Sequence, residues 1–389
     1  MDAPTRVLKA IEHEEPDRVP AFESAFTNNT IMAHYGIPEG GGITSGIGAL
    51  KYLPFKNRIA NWAVSNRNFL VKSMTPGYEF LRRVRIDIGL SLVALHQRKI
   101  IKGGIIDEFG RIMKFETYPP DGTVITAYHG GHLKSFEDYE SWERPDPNEP
   151  KRLAGFLAGK EVQAQMNNEI LSVPANTGMM EVSWEAFGFE RFSRILAKSK
   201  QAKRVFDDQG EFSLELTKIL AENGAEVILI WDDYGFKNGL FMSPRNYRTY
   251  VFPWLKRICE AAHKHDSKIL LHSDGDLMLI FEDIIGCGVD ALNPIEPTTA
   301  NPDYDIFRLK EKYGDQITFV GNISPVMLAT GTIDEIEDYS KKLLREVAPG
   351  GGYIFSSGHS INPAVTLDRW EAVMRIREKY SPYPINVPN

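Results

Sequence analysis

Residues 227–234 read VILIWDDY and residues 268–276 read KILLHSDGD, and these two stretches decide the fold class. Each begins as a short, continuous apolar run, which is typical of a strand buried on both faces of a parallel sheet. Each then passes directly to acidic or histidine side chains. A buried strand followed at once by ionisable residues indicates an α/β enzyme whose functional groups lie at the carboxyl ends of its strands.

Six more apolar runs of this kind alternate with segments of helical periodicity. The eight predicted strands are Arg18–Phe22, Ile86–Leu95, Ile170–Pro174, Val227–Trp231, Lys268–Leu271, Ala291–Ile295, Ile317–Val320 and Tyr353–Ser356. The clearest predicted helices are Glu181–Lys198, Gln201–Glu222, Ser243–His265, Thr332–Val347 and Thr366–Tyr380. This alternation predicts an α/β fold, a (β/α)8 TIM barrel, with residues 1–389 in a single domain. An open, doubly wound sheet is the structural alternative.

Two segments depart from the alternation. Residues 96–135 alternate apolar and polar side chains around turn signals at Gly103–Gly104 and Pro119–Gly122. This pattern predicts a β-hairpin insertion between strands 2 and 3, which we expect to cover part of one end of the barrel. Residues 35–56 are rich in glycine and predict a mobile loop, and they lack the flanking strand and helix of a phosphate-binding glycine motif.

The composition narrows the class of protein. A net charge of -7 argues against a nucleic-acid interface, which needs a basic surface. No apolar run approaches the roughly 20 residues of a membrane helix, and the first residues carry no signal-peptide core. Two cysteines, Cys259 and Cys287, are too few for a disulfide framework or a four-thiolate zinc site. We therefore expect a cytoplasmic enzyme.

The residues that follow the predicted strands supply the candidate site, because the carboxyl ends of barrel strands meet at one face. The predicted catalytic residues are Asp232, Asp233, His272 and His359. The predicted substrate contacts are Phe22, Glu23, Asp87, Glu181, Tyr234 and Asn322.

Two chemical roles are open for the polar members of this set. His272 and Asp274 lie at positions i and i+2 past a strand and, with His359, would bind zinc or another divalent metal ion. Asp232 or Asp233 could supply a further ligand from the neighbouring strand. Alternatively, the same groups form a hydrogen-bond network that binds substrate. The adjacent Asp232 and Asp233 repel each other, so one would have a raised pKa and act as a general acid. The alternative is that one caps a turn and the other faces solvent.

Five stretches, in order along the chain, resemble the uroporphyrinogen decarboxylase superfamily. They are RVLKAIEHEEPDRVP (6–20), DDYGFKNGLFMSP (232–244), HSDGD (272–276), FVGNISP (319–325) and APGGGYIFSSGHSINPAVTLDRWEAVM (348–374). The resemblance implies a (β/α)8 barrel with its cleft at the carboxyl ends of the strands. Asp87 resembles the decarboxylase aspartate that contacts the pyrrole nitrogens, and His359 resembles the histidine of the LGHG motif.

The resemblance divides between two branches. The decarboxylases have an arginine-rich element that holds the carboxylates of the porphyrinogen, whereas residues 21–36 (AFESAFTNNTIMAHYG) contain no arginine. The other branch passes methyl groups to or from corrinoid proteins, and its thiol-methylating members bind zinc through His-x-Cys and a distant Cys. Here those positions read His272-Ser273-Asp274 and Gly358-His359, so the histidine is kept and both thiolates are replaced. Such a site better suits polarising an ether or an amine than a thiol.

The resemblance therefore implies a methyltransferase that moves a methyl group from a small methylated compound to a corrinoid (cobalamin) carried by a partner protein. A methoxylated aromatic is the expected donor, so that the reaction would be O-demethylation, and Phe22, Phe26, Tyr234 and Phe236 would line its pocket. A decarboxylase of a porphyrinogen or of a smaller aromatic acid is the alternative, and a non-catalytic binding protein is a third. A homodimer is expected from the decarboxylases of the superfamily.

Overall fold

A computed structural model describes residues 1–37, 56–93, 95–118 and 121–388, so most of the predicted glycine-rich loop at 35–56 lies outside the described residues. Within them, seven strands run parallel in one sheet. In spatial order they are β1 (Ile88–Leu92), β6 (Leu171–Thr177), β7 (Val227–Trp231), β10 (Lys268–His272), β11 (Ala291–Asn293), β12 (Thr318–Ile323) and β13 (Tyr353–Ser357). All seven overlap strands that the sequence predicts.

The segment before β1 joins the two edges of this sheet. Phe22 N donates to Phe355 O of β13 at 3.0 Å, and Phe355 N donates to Pro20 O at 2.9 Å. On the other side of the segment, Asp87 N donates to Ala21 O at 2.9 Å. The predicted first strand is therefore a short bridging segment rather than a full strand. The ring of backbone bonds confirms the barrel and excludes the open sheet.

The barrel interior is apolar, and helix α1 (Ala3–Ile11) closes its amino end. Inward-facing strand residues and α1 form one buried cluster that includes Val7, Phe22, Ile88, Leu171, Val173, Val227, Leu229, Leu270, Val320 and Ile354. Gly352 N donates to Ala10 O at 2.8 Å, which fixes the end of α1 to the segment before β13. Because α1 fills the amino end, a ligand approaches the interior from the carboxyl ends of the strands.

The remaining helices of the described residues surround the sheet. They are α2 (Asn29–His34), α3 (Lys56–Ser65), α4 (Arg67–Arg83), α5 (Phe136–Ser141), α6 (Ala154–Gln165), α7 (Met180–Phe187), α8 (Phe189–Leu196), α9 (Ser199–Glu222), α10 (Pro244–Asn246), α11 (Phe252–His263), α12 (Phe281–Gly286), α13 (Ile306–Tyr313), α14 (Pro325–Thr330), α15 (Ile333–Glu346) and α16 (Leu367–Tyr380). Met278–Ile280 forms a 3-10 turn. None of the helices in the described part of the chain combines the length and the apolar character needed to cross a bilayer.

Two of the predicted helices are interrupted. Gly188, with a φ of +83°, separates α7 from α8 where the sequence predicts one helix. The predicted helix at 243–265 starts as expected, since the Ser243 side chain accepts from Asn246 N at 3.3 Å. Pro253 has no N–H to donate, and the preceding residues Tyr247–Val251 form a π-helical turn between α10 and α11.

The insertion lies where the sequence predicts it, between β1 and β6, but it is larger than a hairpin. It forms a four-stranded antiparallel sheet of β2 (Gln97–Ile101), β3 (Gly104–Asp107), β4 (Arg111–Tyr118) and β5 (Thr123–Gly131). The additional turn is built by Asp107, whose Oδ1 accepts from Phe109 N at 3.0 Å and Arg111 N at 2.9 Å. The sheet packs on α7, at the carboxyl end of β6.

Candidate functional site

Three neighbouring strands end level with one another. Trp231, the last residue of β7, is paired with His272 of β10, which is paired with Asn293 of β11. The chain therefore leaves β7 and β10 at the same height, and the polar residues that follow, Asp233 and Asp274, emerge side by side. This register explains why residues 41 positions apart in sequence share one site, with Asp274 N donating to Asp233 Oδ1 at 2.9 Å.

Asp233, His272 and Asp274 form a cluster of groups that can bind a metal ion. Each offers one ligand atom, and these atoms lie within 4.8 Å of one another. His272 Nε2 is 3.9 Å from Asp233 Oδ1. His272 is buried, whereas both carboxylates are partly exposed to the cleft. One imidazole and two carboxylates are a suitable donor set for zinc or a harder divalent ion.

Two neighbours fix the orientation of the His272 ring. Its Nδ1 lies 2.7 Å from Asn293 Oδ1. Asn293 Nδ2 donates to Val320 O at 3.2 Å, so the amide oxygen is the atom that faces His272 and Nδ1 carries the proton. The Trp231 ring lies over the imidazole with a centroid separation of 4.2 Å. Nε2 is thereby left as a lone-pair donor on the Asp233 side, an arrangement common to metal-binding histidines.

The Asp274 carboxyl provides the test of whether these residues fit a metal ion. Its Oδ1 atom is buried and has no hydrogen-bond partner among the described residues. Burial raises the pKa of Asp274 to about 6; His272 opposes the shift and Asp233 adds to it. An unpaired buried carboxylate oxygen is costly, and a bound cation would remove that cost. The donor set therefore fits a divalent ion, with nitrogen and oxygen in place of thiolates, since Cys259 is buried on α11 and Cys287 is buried directly after α12.

Close packing holds the two ligand loops together. Gly275 has a φ of +95°, and a Cβ there would lie 2.3 Å from Phe236 N. Ser273 Oγ accepts from Tyr234 N at 2.8 Å. These contacts tie the loop after β10 to the loop after β7, whose residues form the two-stranded ribbon β8 (Gly235–Phe236) and β9 (Gly239–Leu240).

His359 and Glu23 lie at the end of β13, on the same face of the barrel. His359 Nε2 is 3.9 Å from Asp274 Oδ2, and the His359 side chain is 54% exposed. Of the further ligands that the sequence suggests, Asp233 belongs to the cluster above, and His359 lies next to it. Glu23 is buried, accepts from Ser357 N at 3.2 Å and from the Ser357 hydroxyl, and burial raises its pKa to about 7.

A second group of buried carboxyls, carried by α7 and the inserted sheet, lies next to the cluster. Arg111 of β4 donates to Asp107 at 2.6 Å and to Glu185 of α7 at 3.1 Å. Burial raises the pKa of Glu185 to about 7 against the opposing effect of Arg111. Glu181, one turn earlier on α7, has a buried Oε2 without a partner among the described residues. Burial, followed by the charges of Glu185 and Asp233, raises its pKa well above the usual value.

The structure places Asp232, one of the predicted catalytic residues, at the amino end of α7 and out of contact with solvent. It is fully buried and accepts from Met179 N at 2.9 Å and Glu181 N at 2.8 Å, at the amino end of α7. A Cβ on Gly178 would lie 2.1 Å from its carboxyl carbon, so the carboxylate is enclosed. The alternative open in the sequence, that one of the two aspartates caps a turn, describes Asp232, although the turn belongs to the helix after β6.

The structure does not bring Asp87 to this site. It precedes β1 at the amino end of the barrel and is fully buried. Its carboxylate accepts from Arg6 at 2.8 Å, from Arg18 at 2.7 and 2.9 Å, and from Ala21 N at 2.8 Å. Asp87 therefore joins α1 and the bridging segment to the sheet. Each of its carboxylate oxygens already accepts two hydrogen bonds, so neither is left for a substrate.

Three other predicted substrate contacts also point elsewhere. Asn322 donates to Ile295 O at 2.9 Å and accepts from Tyr339 of α15 at 2.8 Å, so its amide faces the helix layer. Phe22 belongs to the barrel interior. Tyr234 is buried against Tyr247.

The predicted aromatic pocket is not formed either, because its four rings lie in different places. Phe26 packs on Phe80 and Trp370. Phe236, 46% exposed, contacts Phe241.

Sequence inspection missed Trp231, Glu185 and Arg111. Glu185 had a signal, because it lies four residues after Glu181 on a predicted helix and therefore on the same face. Trp231 ends a predicted strand, and nothing in its local sequence indicates that its ring lies over His272. Arg111 comes from the insertion, and nothing in its local sequence indicates that it reaches α7.

Comparison with known proteins assigns a family. A protein-family model described as Uroporphyrinogen decarboxylase (URO-D) matches residues 118–380. The curated uroporphyrinogen decarboxylase of Colwellia psychrerythraea is 28% identical over 167 residues, which cover 40% of this chain and 43% of that protein. The one from Schizosaccharomyces pombe is 29% identical over 156 residues, 37% of this chain and 40% of that protein. The matched region thus spans about two fifths of the length of these relatives.

A solved structure extends the comparison to the whole fold. A methyltransferase from Methanosarcina mazei aligns with 97% of this chain and 99% of its own, with a TM-score of 0.66 and 19% identity. At that identity the likeness concerns the fold, and it agrees with the barrel described above.

Proposed function

The chain belongs to the uroporphyrinogen decarboxylase family, and from that premise we propose that it is a methyltransferase that moves a methyl group from a small methylated compound to a corrinoid carried by a partner protein. The observation that carries the proposal is the cluster of Asp233, His272 and Asp274 at the carboxyl ends of the strands. A methyl group bound to oxygen or nitrogen transfers only when the atom it leaves can accept the bonding electrons. An electrophilic site next to that atom is therefore the first requirement of the reaction.

The donor set suits this requirement. A divalent ion bound there would act as a Lewis acid on the oxygen or nitrogen of the donor. The residues of the chain supply the orientation: Asn293 keeps His272 Nε2 directed to the Asp233 side, and the backbone of Asp274 holds the Asp233 carboxylate. Nitrogen and oxygen ligands favour an ether or an amine over a thiolate, and a methoxylated aromatic remains the preferred donor class.

The charge of the cleft supports a donor without many carboxylates. Four carboxyl groups, those of Glu23, Glu181, Asp233 and Asp274, lie at this end of the described barrel, and residues 21–36 contain no arginine. The guanidinium of Arg111 is already paired with two carboxylates. A substrate with eight carboxylates would meet like charge and find few cations.

Decarboxylation of a smaller aromatic acid is the second candidate, because the curated relatives carry the name of a decarboxylase. This reaction needs no corrinoid. A homodimer and a cytoplasmic location remain predictions; light scattering on the purified protein tests the first.

A single anaerobic experiment separates the two functions. The metal-loaded protein is mixed with cob(I)alamin and a panel of methoxylated aromatics and methylamines, and the visible spectrum of cobalt is recorded. In parallel, released carbon dioxide is measured with the corresponding aromatic carboxylic acids. Methylation of cobalt by one donor class supports the proposal, whereas carbon dioxide release without methylation supports the decarboxylase. Cob(I)alamin that stays unmethylated with every donor would contradict methyl transfer.

A further inference from the structure

We propose that Glu181 is the proton donor to the atom from which the methyl group departs. The inference deepens the proposed methyl transfer and rests on it for the reaction. It assigns the acid role, which the sequence suggests for Asp232 or Asp233, to a third carboxyl group. Asp232 is enclosed behind α7, and Asp233 belongs to the metal-binding cluster, so neither is placed to donate a proton to a ligand.

The position of Glu181 follows from the contact between α7 and the loop after β7. Glu181 N donates to Asp232 Oδ1 at 2.8 Å, and Asp233 is the next residue of that loop. The first turn of α7 is therefore fixed against the segment that carries a metal-binding carboxylate. Glu181 Oε2 is buried and has no partner among the described residues, although polar atoms in such positions are almost always bonded. A ligand group in the cleft would supply the missing partner.

The charges that face Glu181 come from each element packed on it. On α7 itself, Glu185 lies one turn away; from the loop after β7 come Asp232 and Asp233; from β4 comes Arg111. Arg111 is shared between Asp107 and Glu185. Among the described residues it forms no direct ion pair with Glu181. Closely spaced, buried carboxyls cannot all be ionised, and the one without an ion pair retains the proton most readily.

The step balances with the reduced corrinoid as co-substrate. The bond between the methyl carbon and the ether oxygen breaks, and both of its electrons remain on oxygen. The methyl carbon forms its new bond with the electron pair of cob(I)alamin, so cobalt is formally oxidised by two electrons. The Glu181 proton moves to the oxygen and releases it as a neutral phenol. The Glu181 carboxylate then recovers a proton from solvent.

The first test uses the leaving group. Glu181→Gln is nearly isosteric but cannot donate a carboxylic proton, and Glu190→Gln on the exposed face of α8 is the matched control. With a methyl ether of unsubstituted phenol we expect Glu181→Gln to slow transfer by roughly a hundredfold or more, the usual contribution of a general acid. With a methyl ether of a nitrophenol, which leaves without a proton, the loss should be severalfold at most. An equal loss with both ethers overturns the acid role, because a structural defect would slow both alike.

The second test does not depend on methyl transfer, so it separates failure of this inference from failure of the proposed function. The infrared spectrum near pH 7 of the wild type minus that of Glu181→Gln should contain the carbonyl band of one protonated carboxylic acid. The same difference taken with Glu190→Gln should lack it. Absence of the band in the Glu181→Gln difference shows an ionised carboxylate and overturns the inference. If the band is present but the protein transfers no methyl group, Glu181 is a protonated carboxyl, and its role as the acid of this reaction is refuted together with the proposed function.

Discussion

Replacing Asn293 by alanine should weaken metal binding, although Asn293 is not one of the three residues that would bind the ion. Asn293 Oδ1 is the atom that lies 2.7 Å from His272 Nδ1, and both residues are buried. Without the amide, the imidazole proton loses its acceptor and water cannot easily replace it. The ring is then free to adopt the other tautomer, in which Nε2 carries the proton and cannot bind a metal ion.

The size of the effect follows from these contacts. Loss of a partner that orients a metal-binding histidine typically lowers metal affinity by about 10–100-fold, which equals about 1.4–2.8 kcal/mol of binding free energy. Asn293→Ala also leaves His272 Nδ1 and the Val320 carbonyl without the Asn293 side chain as a partner. This loss should lower the free energy of unfolding by about 1–3 kcal/mol. The two losses are separable, because the second persists when the metal is removed.

The assay is competition for Zn²⁺ or Co²⁺ against a chromophoric chelator, with urea unfolding in the presence of excess chelator as the measure of intrinsic stability. Asn293→Asp keeps an oxygen acceptor next to Nδ1. Its metal affinity should therefore be close to that of the wild type and no weaker than that of Asn293→Ala. Asn223→Ala, at the exposed end of α9, is the surface control. Wild-type affinity in Asn293→Ala would refute the role of this hydrogen bond in the site.

Three further predictions follow from the same geometry. Metal affinity should fall about tenfold for each pH unit below 6, because the pKa of Asp274, raised to about 6 by burial, makes protons compete with the ion; titration at several pH values tests it. Arg111→Met should lower the free energy of unfolding by about 3–5 kcal/mol, since it leaves the buried carboxyls of Asp107 and Glu185 without their cation, and Arg111→Lys should recover part of the loss in urea unfolding. Asp87→Asn should lower the free energy of unfolding by about 1–3 kcal/mol, because its hydrogen bonds to arginine lose their ionic character. Metal affinity should stay unchanged, because Asp87 lies at the opposite end of the barrel. A loss of metal-binding free energy as large as the loss of stability would contradict that placement.

The fold could be predicted from the sequence because its signals are local. A continuous apolar run such as Val227–Trp231 indicates a buried parallel strand, and the residue after it lies at the carboxyl end wherever the strand sits in the barrel. Asp233, His272 and Asp274 were found in this way. The interruption of a predicted helix by Pro253 and the additional turn of the insertion at Asp107 also have local causes, which are visible in the sequence.

The remaining features depend on contacts between distant parts of the chain. Asp87 is next to a strand in sequence, but its position at the amino end depends on where β1 begins and on Arg6 and Arg18, which lie 81 and 69 residues away in sequence. Arg111 reaches Glu185 across 74 residues, from an inserted sheet to a barrel helix. No periodicity or spacing rule predicts such ion pairs, because their geometry exists only after the sheet has packed on the helix.

The most direct test of the account is anaerobic methyl transfer to cob(I)alamin by the wild type, His272→Ala and His263→Ala, followed by visible absorbance with the best donor of the panel. His263 is a matched control, since it lies on α11 and pairs with Asp290 at 2.8 Å, away from the cleft. We expect cobalt methylation by the wild type and by His263→Ala, and a loss of at least roughly a hundredfold in His272→Ala, as is usual when an electrophilic group is removed from a catalytic site. Methylation by His272→Ala at the wild-type rate would contradict the central claim that the cluster of Asp233, His272 and Asp274 carries the reaction.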